Sequence, residues 1–201
     1  MFTNRLTETV KTSRAAIFRL VLMLLFLIVA QGYSSPVALL DSARTLFYKS
    51  VEKKEYVDDA MYIFNRLITY EEYKGVARTY LGALTALEGK YAFMPTTKYN
   101  KALKGLKMMD EGVESSPENI EARFIRGTTS FYMPFFFNRK ETAEEDFQAM
   151  IAMLESNYQQ YDLEIVQNVI QFLKENTELT PRENAIVERV GEELKEKRLS
   201  G

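Results

Sequence analysis

Any chemistry in this chain would have to rest on carboxylates, because its 201 residues include no histidine and no cysteine. Thiol and imidazole nucleophiles, a serine-histidine-acid triad and a thiolate or imidazole zinc site are therefore excluded. Three acidic clusters stand out: Asp58-Asp59, Glu71-Glu72 and Glu144-Glu145-Asp146. A general acid-base pair or a calcium site needs carboxylates that converge, whereas neighbours on a helix point in different directions. Each cluster falls near a predicted helix start, where negative charge suits the helix dipole. The three therefore read as solvated helix faces. Gly82, Gly89, Gly105 and Gly112 are spread through helical stretches instead of gathered after a strand, so they serve close packing and do not cradle a phosphate. The chain reads as a non-catalytic protein with no cofactor and no metal.

The elements that would position a binding surface are all helical. Glycine and proline are few, Ala, Leu, Glu, Lys and Met recur throughout, and no run of Val, Ile or Thr alternates as a strand would. After Pro36 the apolar spacing predicts about eight helices in four antiparallel pairs: 36–52 with 55–69, 72–89 with 96–115, 117–130 with 140–156, and a seventh after Asp162 with an eighth from Pro181. A break covers Gly89 to Pro95, Ser116-Pro117 is expected to start the fifth helix, and Phe131 to Asn138, with Pro134, a bend. Thr180 and Glu183 form a capping box with Pro181 just inside the helix.

The amino terminus has a different character. Arg5, Lys11, Arg14 and Arg19 precede an apolar run of 11 residues, Leu20 to Ala30, followed by Gln31-Gly32-Tyr33-Ser34-Ser35. That is the layout of a secretory signal peptide, and the run is short of the roughly 20 residues that span a bilayer comfortably. Residues 1–34 are expected to be a signal peptide, cut near Ser34, or else a retained anchor. Residues 36–201 form a single helical domain, exported to the periplasm or secreted and not inserted in the membrane once the signal is gone. Removing Arg5, Lys11, Arg14, Arg19 and Glu8 leaves 22 basic and 27 acidic side chains. The acidic balance argues against nucleic acid as a partner and against tight adhesion to anionic lipid.

Two segments about 45 residues apart are alike: Ala60, Phe64 and Leu67 align with Gly105, Met109 and Gly112, Ala77-Arg78 with Ala122-Arg123, and Leu81-Gly82 with Arg126-Gly127. Gly105, Met109, Gly112 and Pro117 resemble the second helix of a tetratricopeptide repeat, and Leu81-Gly82 resembles the large-small doublet of its first helix. The regular repeat has 34 residues, so longer helices and an extended connection around Lys90 to Thr97 are expected to account for the excess here. The chain is also similar to bacterial exported proteins with an Arg-Phe-x-Arg segment near the start of a repeat, here Arg123-Phe124-Ile125-Arg126. The resemblance implies an all-α fold, a short tetratricopeptide-like α-solenoid of stacked antiparallel helix pairs.

It further implies a concave face lined by the first helix of each pair. One rim would carry Glu121, Phe124, Thr128, Phe131 and Tyr132, with Phe124 and Tyr132 as anchors, and the preceding rim Val76, Thr79, Ala83, Ala86 and Leu87. Such a groove would take an extended peptide or a partner helix, making the protein an adaptor for a peptide or protein partner in the cell envelope. The alternative is a small-molecule binding accessory of a solute uptake system, its pocket built from Tyr80, Tyr91, Phe93, Phe131 and Tyr132. Arg78, Arg123 and Arg126 would pair with acids or hold an anionic group.

Overall fold

The stretches with apolar residues three and four apart become eight α-helices in a computed structural model that describes residues 35–200. They are α1 (Pro36–Glu52), α2 (Val57–Leu67), α3 (Lys74–Tyr91), α4 (Pro95–Ser115), α5 (Ile120–Tyr132), α6 (Lys140–Asn157), α7 (Leu163–Asn176) and α8 (Pro181–Ser200). Short 3-10 turns link several of them, and no strand occurs among the described residues. The fold is all-α. Contacts divide the chain between Ala38 and Leu39, and the architecture below concerns the unit beginning at Leu39. The amino-terminal segment read as a signal peptide, residues 1–34, lies outside the described residues.

The closest pairing is α3 with α4, and glycine is the reason. Gly75, Gly82 and Gly89 recur every seven residues on α3, so they share one face, as Gly105 and Gly112 do on α4. A Cβ on Gly82 would stand 2.6 Å from the Gly105 carbonyl oxygen, and one on Gly105 would stand 2.4 Å from that of Gly82. At the far end, a Cβ on Gly112 would meet the Gly75 carbonyl oxygen at 2.8 Å. The two backbones touch where side chains would otherwise hold them apart. α5 and α6 form the next closest pair, and α2 lies on α3. Phe64 of α2 and Phe47 of α1 enclose Tyr80 of α3, stacked at 4.4 Å and edge-on at 4.8 Å between ring centres. Such ring pairs contribute about 0.5–1.5 kcal/mol each beyond the area they bury.

Local signals decide several helix starts. Asp162 caps α7 by accepting from the amides of Glu164 and Ile165. The Thr180 amide donates to Glu183 at 2.7 Å and the Glu183 amide to Thr180 Oγ1 at 3.4 Å, closing the expected capping box. These contacts hold the Glu183 carboxyl below its usual range. Two boundaries differ from expectation. α5 is capped by Asn119, which accepts from the Ala122 amide, while Ser116-Pro117-Glu118 is spent in the turn before it. The connection between α3 and α4 is only Ala92 to Met94, because Lys90 and Tyr91 remain helical and Pro95 occupies the first turn of α4. The excess over a 34-residue spacing thus comes from helix length.

Gly105→Ala is expected to destabilise the fold by about 2 kcal/mol or more, since backbone cannot yield to the new methyl, despite the roughly 1 kcal/mol helix-propensity gain. Gly191→Ala in α8, whose Cβ would meet only Ile170 Cγ2 at 3.8 Å, should leave stability unchanged or raise it by up to about 1 kcal/mol. Urea unfolding of the two variants checks both signs.

Candidate functional site

Among the described residues, two knots of charge and a cluster of rings bring side chains of several helices together. In the first knot, Arg44 of α1 reaches Glu121 of α5, donating from Nε to Oε1 at 2.7 Å and from Nη2 to Oε2 at 2.5 Å. Its Nη1 also donates to Asp162 at 2.9 Å and to Asp41 at 3.0 Å. The Tyr80 hydroxyl, wholly buried, donates to Glu121 Oε1 at 2.7 Å. Burial works against the charge of Arg44, but the bonds and charge of Glu121 outweigh it, so the guanidinium stays protonated with its pKa raised. Burial, then the charge of Glu121, pushes the Tyr80 phenol well above its ordinary value. One guanidinium thereby ties α1 to the starts of α5 and α7. Beside it lies a shallow depression of about 180 Å³, edged by Glu72, Tyr73, Tyr161 and Asp162.

The second knot centres on Asp146 of α6. Its side chain is completely buried, with Arg123 donating to Oδ1 at 3.0 Å and Arg126 donating from Nε and Nη2 at 2.8 Å each. Arg126 also meets Asp110 of α4, which in turn accepts from Arg139 at 2.6 and 3.0 Å. Asp146 therefore departs from the expected solvated cluster, whereas Glu144 and Glu145 are exposed as expected. The cause is Gly127, whose missing side chain lets the Asp146 Cβ approach α5. Arg78 pairs with Glu111 of α4. All three arginines at the repeat positions are thus paired with acids. No buried side-chain nitrogen or oxygen lacks a partner among the described residues. No set of three acids among those residues is placed to hold a metal ion.

The residues expected on the concave face separate. Glu121 is held in the first knot, and Phe124 is 8% exposed with its edge on Phe172 at 6.0 Å. Thr128 is half-buried and donates its hydroxyl to the Phe124 carbonyl at 2.7 Å. Phe131 and Tyr132 reach the surface, 41% and 68% exposed. On the preceding rim, Val76, Thr79 and Ala83 are buried and Ala86 and Leu87 half-buried. Their place in the glycine seam explains this for Thr79 and Ala86, which are among the three nearest neighbours of a Cβ on Gly112 and Gly105. The five aromatics considered for a ligand pocket do not converge either. Tyr80 is sealed inside, the Tyr91 hydroxyl donates to the carbonyls of Ser50 and Val51, and Phe93 is 94% exposed.

What the structure adds is Phe172 of α7. Its ring lies 5.4 to 6.2 Å from those of Phe124, Phe131, Tyr132 and Phe147, making it the hub of an aromatic ledge. The Tyr132 hydroxyl reaches Asn176 at 3.3 Å. Phe172 stands one residue off the buried stripe of Ile165, Val169, Ile170 and Leu173. That off-stripe ring is the signal that marks it in the sequence.

Asp146→Ala should cost about 3 kcal/mol or more, because it strands two partly buried guanidinium groups. Asp110→Ala, at a half-exposed carboxylate, should cost less than about 1 kcal/mol. Chemical denaturation of both distinguishes the buried pair from the outer one. Searches of family models, of curated proteins and of solved structures find no match to this chain, so these contacts, not kinship, must carry its functional reading.

Proposed function

We propose that the chain is a non-catalytic helical-repeat adaptor of tetratricopeptide-like construction, exported to the cell envelope, that holds a peptide or protein partner. The observation that carries this reading is the aromatic ledge, on which Phe131 and Tyr132 stand exposed above the Phe172 hub. Large rings, held at low entropic cost by neighbouring rings, are the side chains that dominate protein interfaces. The paired arginines support the same reading, because guanidinium groups already bound to carboxylates are not offered to an anionic ligand. The divergence of Tyr80, Tyr91, Phe93, Phe131 and Tyr132 favours an open contact surface over a closed small-molecule pocket.

The test is a photo-crosslinker placed at Tyr132 in the full chain in its native envelope, followed by mass spectrometry of the adduct and of the amino terminus. One recurring protein adduct, lost on Phe131→Ser while the unfolding midpoint shifts by no more than a few degrees, is the expected outcome. A chain processed near Ser34 that yields no protein adduct would overturn the adaptor reading in favour of small-molecule binding.

A further inference from the structure

A second aromatic surface lies on the α5–α6 connection, with no ring contact to the ledge among the described residues. After Pro134, residues Phe135–Phe137 form one 3-10 turn, and Asn138 closes it in the left-handed conformation with φ 51°. Phe137 turns inward and stacks on Tyr99 of α4 at 5.5 Å. Phe135 and Phe136 point outward, 93% and 60% exposed. Tyr99 lies one turn into α4, directly after the α3–α4 connection, where Phe93 is 94% and Met94 55% exposed. The stack on Tyr99 thus joins two connections that each present large apolar side chains to solvent. Exposed patches of this kind mark interaction sites.

The segments that carry this lip are basic in sequence, with acids at their edges, Glu88, Asp110, Glu111 and Glu141. Residues 90–109 contain five lysines, Lys90, Lys98, Lys101, Lys104 and Lys107, and no acid, and residues 131–140 contain Arg139 and Lys140 and no acid. Lys101, Lys107, Arg139 and Lys140 pair with Glu88, Glu111, Asp110 and Glu144. Lys90 donates to the Val51 carbonyl and sits over the Tyr91 ring, with no acid. Lys98 and Lys104 are exposed and make no ion pair among the described residues. Lys90 and Lys98 flank the α3–α4 connection in sequence and Lys104 lies further along α4, none with an ion pair among the described residues, in a protein whose formal net charge is negative.

We propose that this lip docks on a bilayer: Phe93, Met94, Phe135 and Phe136 enter the interfacial layer, and Lys90, Lys98 and Lys104 pair with anionic phospholipid headgroups. Rings that are more than nine-tenths exposed project from the surface, and a protruding ring needs either a matching pocket or a medium that deforms around it. Hydrocarbon supplies the latter, and the lysine fringe specifies the sign of the headgroup. An acidic protein as a whole can bind such a surface because screening confines the interaction to charges within about 10 Å of it.

The chain has no tryptophan, so one introduced at the lip reports on that place alone. Full-length Phe93→Trp and Phe135→Trp variants would be mixed with vesicles of phosphatidylglycerol and phosphatidylcholine, some carrying brominated acyl chains, with Tyr62→Trp on exposed α2 as control. The expected result is a blue shift and bromolipid quenching at both lip positions and neither at the control. Adding Lys98→Gln and Lys104→Gln should weaken vesicle affinity roughly thirtyfold. Vesicle binding with no change at the lip reporters would overturn the proposal and assign attachment to the amino-terminal segment. An equal response to pure phosphatidylcholine, or a concentration-dependent blue shift without lipid, would overturn it as well, the latter in favour of self-association.

Discussion

The glycine seam between α3 and α4 is the constraint on which the other contacts depend. Helix axes usually pack 8–10 Å apart because side chains stand between them. Here Gly82 and Gly105 leave backbone facing backbone, which fixes the rotation of each helix about its axis. Once that face of α3 is spent on α4, Tyr80 is turned toward α1 and α2, where Phe47 and Phe64 enclose it. Its hydroxyl is thereby carried to Glu121, and Glu121 in turn to Arg44. The first knot is a consequence of the seam, since a rotation of α3 that moved Gly82 off its partner would move Tyr80 off the carboxylate.

Both knots place charge where an apolar residue would pack. Burying a paired charge adds little net stability, because desolvation offsets most of the attraction. It does make alternatives costly. A helix shifted by one turn would leave Asp146 without Arg123 and Arg126, or Glu121 without Arg44, and an unpaired buried charge is far worse than a merely imperfect apolar contact. The knots therefore act on register: Asp146 sets α6 against α5, and Arg44 sets α1 against the starts of α5 and α7. This division suits a chain of similar helices, in which apolar stripes alone would tolerate several alignments.

The helices were legible in the sequence because their signals are local: the 3.6-residue apolar spacing, the Asp162 cap and the Thr180-Glu183 box each act within one turn. The glycines could also be read as packing devices, although Gly75, the third member of the α3 face, emerged only with the structure. Burial of individual polar residues was not legible. Asp146 follows Glu144 and Glu145 and looks like one more acid on a wet face; only the approach permitted by Gly127 on another helix takes it inside. The repeat resemblance puts Glu121 on the concave face, because its partner Arg44, 77 residues away, leaves no local sign in the sequence. The ledge was half visible. Phe131 and Tyr132 could be named from α5, but Phe172, which holds them, belongs to a helix whose apolar stripe points elsewhere.

Polar satisfaction in the interior and ring exposure at the surface are two sides of one arrangement. The arginines at the repeat positions are paired, and no buried side-chain nitrogen or oxygen lacks a partner among the described residues. Most of the exposed rings lie toward helix ends and on connections, on residues such as Phe93, Tyr132 and Phe135, where their removal opens no cavity in the core. Exposed rings do not stabilise a solitary chain, since the benefit of an apolar side chain comes from the water it leaves. Rings left in water are available to a surface outside the fold. The ledge is braced by four neighbouring rings and offers a preorganised face, which suits a partner with a shape of its own. The lip at Phe93 and Phe135 is braced only along its own turn, with Phe135 on Phe136 and Phe136 on Phe137, and is flanked in sequence by lysine, which suits a surface without a shape of its own.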